Sequence, residues 1–144
     1  GAYLEKVYDQ NNVLAAQYNY NLTKGLVNWV KDAKGQQTTY SYNVNNDALT
    51  NISRGGKTIT YGYNSKNQLS TIAHNGFSYG FTYDNFGNLK QTKVGAQILA
   101  TNNYQANNGS LESVVYGNGY TVNYGYNVLG LVSSLLYNGV TRYT

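Results

Sequence analysis

The chain has 144 residues, of which 41% are hydrophobic, with a formal net charge of +4 and a pI of about 9.1. It has no Cys, which excludes disulfides and Cys-ligated zinc, and its positive charges are scattered, unlike the charged blocks of tails that bind nucleic acids or membranes. No apolar run approaches membrane-spanning length. One domain is expected, with no nucleic-acid partner, no membrane span and no cofactor.

The polar composition favours β-structure. There are 17 Tyr but only 3 Phe and 1 Trp, charged residues make up 11%, and Pro is absent. Average proteins carry about 25% charged residues. Asn, Thr, Ser, Gln and Gly supply the polarity, and such residues favour turns and strand surfaces over helices. The absence of Pro suits antiparallel strands, whose N–H groups are all needed.

The first strands of the chain are predicted around an early Tyr-Asp step. The run from Tyr8 to Leu14 reads YDQNNVL, but the next comparable Tyr follows after only 12 residues. We predict two strands here, at residues 3–8 and 13–20, joined by a single turn.

From Tyr20 onward a motif repeats every 20 to 22 residues. Its anchor is an aromatic pair ending in Tyr, usually followed by Asn or Asp, at Tyr20, Tyr42, Tyr63, Tyr83, Tyr104 and Tyr126. An aliphatic residue recurs six or seven positions later, at Leu26, Leu49, Leu69, Leu89, Leu111 and, in the last copy, Val132. Three positions further on, most copies have another large apolar residue, at Trp29, Ile52, Ile72, Val114 and Leu135. A fixed period of this kind indicates a repeat architecture.

A second turn closes each copy of the motif. The predicted turns are Lys34-Gly35, Gly55-Gly56, Asn75-Gly76, Val94-Gly95, Asn118-Gly119 and Asn138-Gly139. Asn-Gly and Gly-Gly are preferred in two-residue hairpin turns, whose central residues need positive φ. The sequence therefore predicts an all-β fold of consecutive antiparallel hairpins, about 20–22 residues each, in one curved and continuous repeat sheet.

The last predicted strand, residues 140–144, stops just before the next expected anchor Tyr. We therefore expect residues 1–144 to be one repeat array that is either a fragment or an open-ended assembling unit.

Alternation along the strands predicts one aromatic and one small, polar face. In the strand from Phe77, the residues Tyr79, Phe81 and Tyr83 lie on one side. Tyr rings of neighbouring strands are expected to stack in rows. Two points stay open: whether the recurrent Gly between two aromatics marks close approach or curvature, and whether a bulge brings the Leu and the apolar residue after it to one face.

The motif resembles the YD or RHS repeat, Tyr-x-Tyr-Asp-x-x-Gly-x-Leu. Phe81 to Leu89 carries its Tyr83, Asp84, Gly87 and Leu89, and the other anchors match more loosely. The resemblance covers nearly the whole chain. It implies strings of hairpins that spiral into a hollow shell, as in bacterial RHS toxins, wall-associated proteins, the cocoon of insecticidal toxin complexes and the teneurin barrel.

This resemblance implies a toxin-related, non-catalytic structural module of a secreted or cell-surface protein. Such a module forms part of an encapsulating shell or an edge-to-edge fibre, and its partners are neighbouring repeats or other copies of itself. The family's self-cleavage motif, with its Asp-Pro step, has no counterpart in a chain without Pro. The only His, His74, flanks a turn, and the acidic residues show no paired spacing, so no enzyme is expected.

The alternative function is carbohydrate binding, because Tyr and Trp faces stack on sugar rings. Trp29 is the candidate residue for stacking on a glycan, although filling of the apolar face explains a large side chain there as well. The Asn or Asp after each anchor could be read as a metal ligand, but a single amide or carboxylate per copy favours a turn-forming role.

Overall fold

The computed structural model describes residues 3–143, which form fourteen β-strands and no helix. The strands are β1 (Lys6–Tyr8), β2 (Leu14–Asn21), β3 (Leu26–Asp32), β4 (Gln37–Tyr42), β5 (Leu49–Arg54), β6 (Lys57–Tyr63), β7 (Leu69–His74), β8 (Phe77–Tyr83), β9 (Leu89–Val94), β10 (Gln97–Tyr104), β11 (Leu111–Tyr116), β12 (Thr121–Tyr126), β13 (Val132–Tyr137) and β14 (Val140–Tyr143). Residues 3–143 accordingly contain no helix that could span a membrane.

The chain divides into two units, Gly1–Gly76 and Phe77–Thr144. The first holds β1 to β7 and the second β8 to β14. Within each unit, every strand pairs antiparallel with its neighbours in the sequence. The predicted all-β fold of consecutive hairpins is confirmed, and so is the single turn that joins the first two strands.

Each unit is a single layer of strands without an enclosed core. Among the described residues, strands contact only their sequence neighbours. The most buried hydrophobic side chain, Val114, still exposes 8% of its surface. The stability of such an array rests on contacts between adjacent strands and repeats.

A β-bulge precedes each anchor Tyr. In β6 and β7, Gly62 pairs with Thr71 while Tyr63 pairs with Leu69, so Ser70 is the extra residue. The register shifts in the same way before the other five anchors. The bulge reverses the side-chain alternation for one step. Leu69 and Ile72, three residues apart, therefore lie on the same face and pair with Tyr63 and Tyr61.

The predicted rows of stacked tyrosines are largely replaced by alternating tyrosine and aliphatic side chains. Tyr61 lies opposite Ile72, and Tyr40 lies opposite Ile52. Stacked rings are found where Tyr20 meets Tyr3, with centroids 4.9 Å apart, and Tyr18. The rings of Tyr120 and Tyr137 are 5.5 Å apart but tilted by 51°. The difference follows from the hairpin repeat, because each anchor strand is flanked by strands that carry the Leu and Ile positions.

Three of the six predicted two-residue turns have both central residues at positive φ: Gly55-Gly56, Asn75-Gly76 and Asn138-Gly139. The other three were predicted incorrectly in type. Lys34-Gly35 and Asn118-Gly119 lie in five-residue turns with positive φ only at the Gly. Val94 belongs to β9, and the turn there is formed by Gly95 and Ala96.

The recurrent strand Gly marks close approach of a neighbouring side chain. A Cβ at Gly62 would overlap Oγ1 of Thr71, and one at Gly125 would overlap Oγ of Ser134. Neither Gly has positive φ, so backbone conformation does not require it. The approach is less close at Gly80, where an added Cβ would lie 3.2 Å from Cγ of Lys93.

Candidate functional site

The hydroxyl groups of the anchor tyrosines link neighbouring repeats. Tyr63 Oη donates to the Leu49 carbonyl at 2.9 Å, and Tyr104 Oη donates to the Leu89 carbonyl at 2.8 Å. The same bond joins Tyr20 to Leu4, Tyr42 to Val27 and Tyr126 to Leu111. Each acceptor lies 14 to 16 residues upstream. We call this bond the tyrosine clamp, and it explains why the anchor is Tyr and not Phe.

One clamp tyrosine, Tyr42, has a raised pKa that favours its protonated form. Partial burial raises the pKa of Tyr42, and the neighbouring Tyr40 adds to the rise. A protonated hydroxyl is needed here because the acceptor is a backbone carbonyl, which can only accept. Tyr83 occupies the corresponding position in β8, opposite Leu89 after the bulge.

Asp84 closes the turn that follows its anchor. Its Oδ1 accepts the backbone N–H groups of Phe86 and Asn88, both at 2.9 Å. Oδ2 accepts the Asn88 side-chain amide at 3.0 Å. Gly87, at φ 93°, supplies the left-handed residue of the turn. Acceptance of the N–H two residues further on is the geometry of an Asx-turn.

Asn builds the same turn in other copies. Asn64 Oδ1 accepts the N–H groups of Lys66 and Gln68 at 2.9 and 3.0 Å, and its amide donates to Gln68 Oε1 at 2.9 Å. Asn127 accepts from Leu129 and Leu131. The turn needs an oxygen acceptor and no negative charge, which gives no support to a metal-binding role for this position.

Asp84 and Asp32, whose carboxylates both accept backbone N–H groups in turns, are stabilised in their charged form. For Asp84, desolvation raises the pKa, but the Asn88 side chain and backbone N–H groups outweigh it and leave the pKa lowered. The backbone N–H of Gln36 is the main cause of the lowered pKa of Asp32, with further hydrogen bonds from Lys34 and Arg54. Hydrogen bonds to the charged form have this effect.

We predict that acid destabilises the fold partly through Asp84. Its pKa is lower in the folded than in the unfolded chain, where it is about 3.9. The stabilisation is complete above that value and is lost as the pH falls through the lowered folded pKa. The difference between the urea midpoints at neutral and at acidic pH should be smaller in Asp84→Asn than in the parent chain. The variant should keep the turn, because Asn64 forms the same turn with an amide. An unchanged pH dependence in this variant would contradict the assignment.

Polar contacts between neighbouring turns were not foreseen from the sequence. Lys24 Nζ binds Asp47 at 2.5 Å and the Val44 carbonyl at 3.2 Å. Near the opposite ends of the strands, Arg54 binds Asp32 at 2.5 Å. In both ion pairs the partners are about one repeat apart in the sequence, at 23 and 22 residues. This separation is the one sequence feature that could have predicted the pairs.

Trp29 lies on the polar face, contrary to the interpretation as apolar filling. It pairs with Asn19 and Thr39, and the Lys31 ammonium lies 4.9 Å from its ring centroid. Val30, opposite Tyr18, takes the position on the apolar side. The half-buried indole therefore stands among amide and hydroxyl side chains.

The acidic residues and His74 form no metal-binding group. Within residues 3–143, no set of three or more His, Cys, Asp or Glu side chains is arranged to hold an ion. His74 ends β7 beside the Asn75-Gly76 turn, opposite Ile59. Of the site residues predicted from the sequence, those that the structure brings into contact are the anchor tyrosines, through the clamp, and the Asp or Asn that follows them, through the turn.

Comparison with solved structures shows the fold. The chain aligns with a chain of the TcdB2–TccC3–Cdc42 crystal structure at a TM-score of 0.68 and 19% identity, over 88% of this chain and 7% of that one. The TcdB2–TccC3–TEV structure gives a TM-score of 0.70 and 19% identity, with the same coverage. For the Photorhabdus luminescens Tc holotoxin pore, the TM-score is 0.58 and the identity 14%, over 92% and 10% of the two chains.

No protein-family model and no curated protein matches the sequence. The chain spans 7–10% of the length of the three solved chains. At identities of 14–19% the likeness concerns the fold alone. The resemblance to the YD/RHS repeat is confirmed at that level: the chain has the antiparallel hairpin-repeat fold found in Tc toxin complexes.

Proposed function

We propose that this chain is a non-catalytic wall module of a secreted or cell-surface protein, one stretch of an encapsulating shell built from repeated hairpins. The observation that carries the proposal is the single-layer construction. Each unit lacks an enclosed core, and its repeats are joined by clamps from the anchor Tyr at the end of one strand to a backbone carbonyl of the preceding repeat. A sheet of this kind separates two spaces and extends by adding repeats.

The partners in this proposal are neighbouring repeats or other copies of the chain. Within the described residues, β1 and β14 each pair on one side only. Their outer N–H and C=O groups can therefore accept a further strand. The fold shared with Tc toxin complex chains supports the shell, and an edge-to-edge fibre is the other assembly open to such strands.

Electron microscopy of the purified chain distinguishes the two assemblies. Curved sheets or closed particles built from several copies support the shell, and straight filaments of repeating strands support the fibre. Particles that remain single, compact and unassociated at every concentration would overturn the proposed assembly.

A second candidate function is carbohydrate binding at Trp29, which its position on the polar face favours. The indole has Asn19 and Thr39 beside it and Lys31 over its ring. A flat ring surrounded by amide and hydroxyl groups suits a sugar ring, which presents C–H groups on its faces and hydroxyls at its rim.

We expect a glycan array to give a signal that Trp29→Ala removes and Trp29→Phe partly keeps. Tyr61→Ala, on the opposite face, serves as the control and should bind like the parent chain. An array without signal, or equal loss in Trp29→Ala and Tyr61→Ala, would contradict this function and leave the wall proposal unaffected.

A further inference from the structure

The chain contains four Asn-Gly steps, at Asn75, Asn108, Asn118 and Asn138. Such steps can lose ammonia when the glycine nitrogen attacks the side-chain carbonyl, because glycine has no side chain to obstruct the approach. The attack needs two freedoms. The glycine N–H must be free to lose its proton, and the Asn carboxamide must be free to rotate. In the folded chain, hydrogen bonds restrain these two groups to different extents at the four steps.

Two of the steps are held at both groups. The Gly109 N–H donates to the Gln105 carbonyl at 2.9 Å, and Asn108 Oδ1 accepts the Ser110 N–H at 2.9 Å. The Gly119 N–H donates to the Tyr116 carbonyl at 2.9 Å. At the same step, Asn118 Oδ1 accepts a backbone N–H at 3.1 Å.

A third step, Asn138-Gly139, is held at one group only. Its carboxamide Oδ1 accepts the Thr121 N–H at 2.8 Å. The N–H of Gly139 has no hydrogen-bond partner among residues 3–143.

The fourth step, Asn75-Gly76, is free at both groups. Within the described part of the chain, neither the Asn75 carboxamide nor the Gly76 N–H makes a hydrogen bond. Both residues form an exposed two-residue turn, at φ 49° and 79°. No heavy atom beyond residues 75–77 lies within 4 Å of the position that a Cβ of residue 76 would take. The reacting atoms of Asn75 and Gly76 are therefore accessible to water and base.

We propose that Asn75 is a site of spontaneous, fold-selected deamidation. The Gly76 nitrogen loses its proton to solvent base and forms a bond to Cγ of Asn75, and the bond from Cγ to Nδ2 breaks as ammonia leaves. Water then opens the resulting succinimide at either carbonyl, giving aspartate or isoaspartate. No oxidant or cofactor is needed, and the formal net charge falls from +4 to +3.

The test is a time course of the folded chain in mildly alkaline buffer, followed by peptide mapping with mass spectrometry and enzymatic methylation of isoaspartate. We expect the conversion of Asn75 to be several-fold faster than that of Asn108 and Asn118, with Asn138 between them. Asn75→Gln should lose the fast phase, because a glutamine would have to close a larger ring.

The same time course in strong denaturant separates fold from local sequence. All four steps should then react at similar rates, since the hydrogen bonds that distinguish them are absent. Folded Asn75 reacting no faster than Asn108 or Asn118 would overturn the proposal. An identical ranking in the denatured chain would overturn it as well, because the selectivity would then come from flanking residues.

Discussion

Replacing Tyr63 by Ala should lower the free energy of unfolding by roughly 2–3 kcal/mol, of which the hydroxyl accounts for about 1 kcal/mol. Two contributions are lost together. The half-buried ring no longer covers Leu69, its cross-strand partner. The clamp to the Leu49 carbonyl, 2.9 Å long, is also removed. Urea unfolding followed by far-ultraviolet circular dichroism measures the change.

Phenylalanine separates the ring from the hydroxyl. Tyr63→Phe should cost about 0.5–1.5 kcal/mol, the net value of one intramolecular hydrogen bond. Tyr61 is the matched control, since it lies two residues away on the same face of β6 and its hydroxyl makes no hydrogen bond among the described residues. Tyr61→Phe should be close to neutral, and equal losses in the two variants would contradict the clamp.

Replacing Gly117 by Ala should be among the most damaging of single-methyl additions, costing about 3 kcal/mol. A Cβ there would overlap the backbone carbonyl oxygen of Ile98, which no side-chain rotation can move. The strands must separate instead, and the 2.9 Å hydrogen bond from the Gly117 N–H to the Leu99 carbonyl would break. Urea midpoints and the exchange of the amide protons of β10 and β11 report this opening.

Gly62→Ala provides the control because its overlap is with a side chain. The added methyl meets Oγ1 of Thr71, so the single variant should lose about 1–3 kcal/mol. In a Thr71→Ala background the space is open, and the same change should be neutral or stabilising by roughly 0.5–1 kcal/mol, the strand cost of Gly relative to Ala. If Gly62→Ala changes the free energy of unfolding equally with and without Thr71→Ala, close approach is not the reason for this Gly.

The hairpin repeat was predictable from the sequence because spacing and alternation record it directly. The anchor Tyr, the following Asp or Asn and the turn Gly each carry a local signature. The acceptor of the clamp does not, since it is a backbone carbonyl on the preceding repeat and depends on strand register. The bulge is likewise hidden, because Leu69 and Ile72 fit either face until the position of Ser70 is known.

Trp29 shows how one residue of register changes a functional interpretation. Strand β2 runs on to Asn21, which pairs with Leu26, so Val27 and not Leu26 lies opposite Tyr20. Counting three residues from Leu26 therefore reaches the polar face. The sequence identified Trp29 as unusual, but only the strand pairing places it.

The central claim is that the chain is a wall module stabilised by neighbouring strands. Sedimentation velocity across a dilution series, with the circular dichroism recorded at each concentration, tests it most directly. The account predicts species that grow with concentration and a β-sheet signal that weakens on dilution, as the outer strands lose their partners. A monomer that keeps its full β-sheet signal at the highest dilution would contradict it.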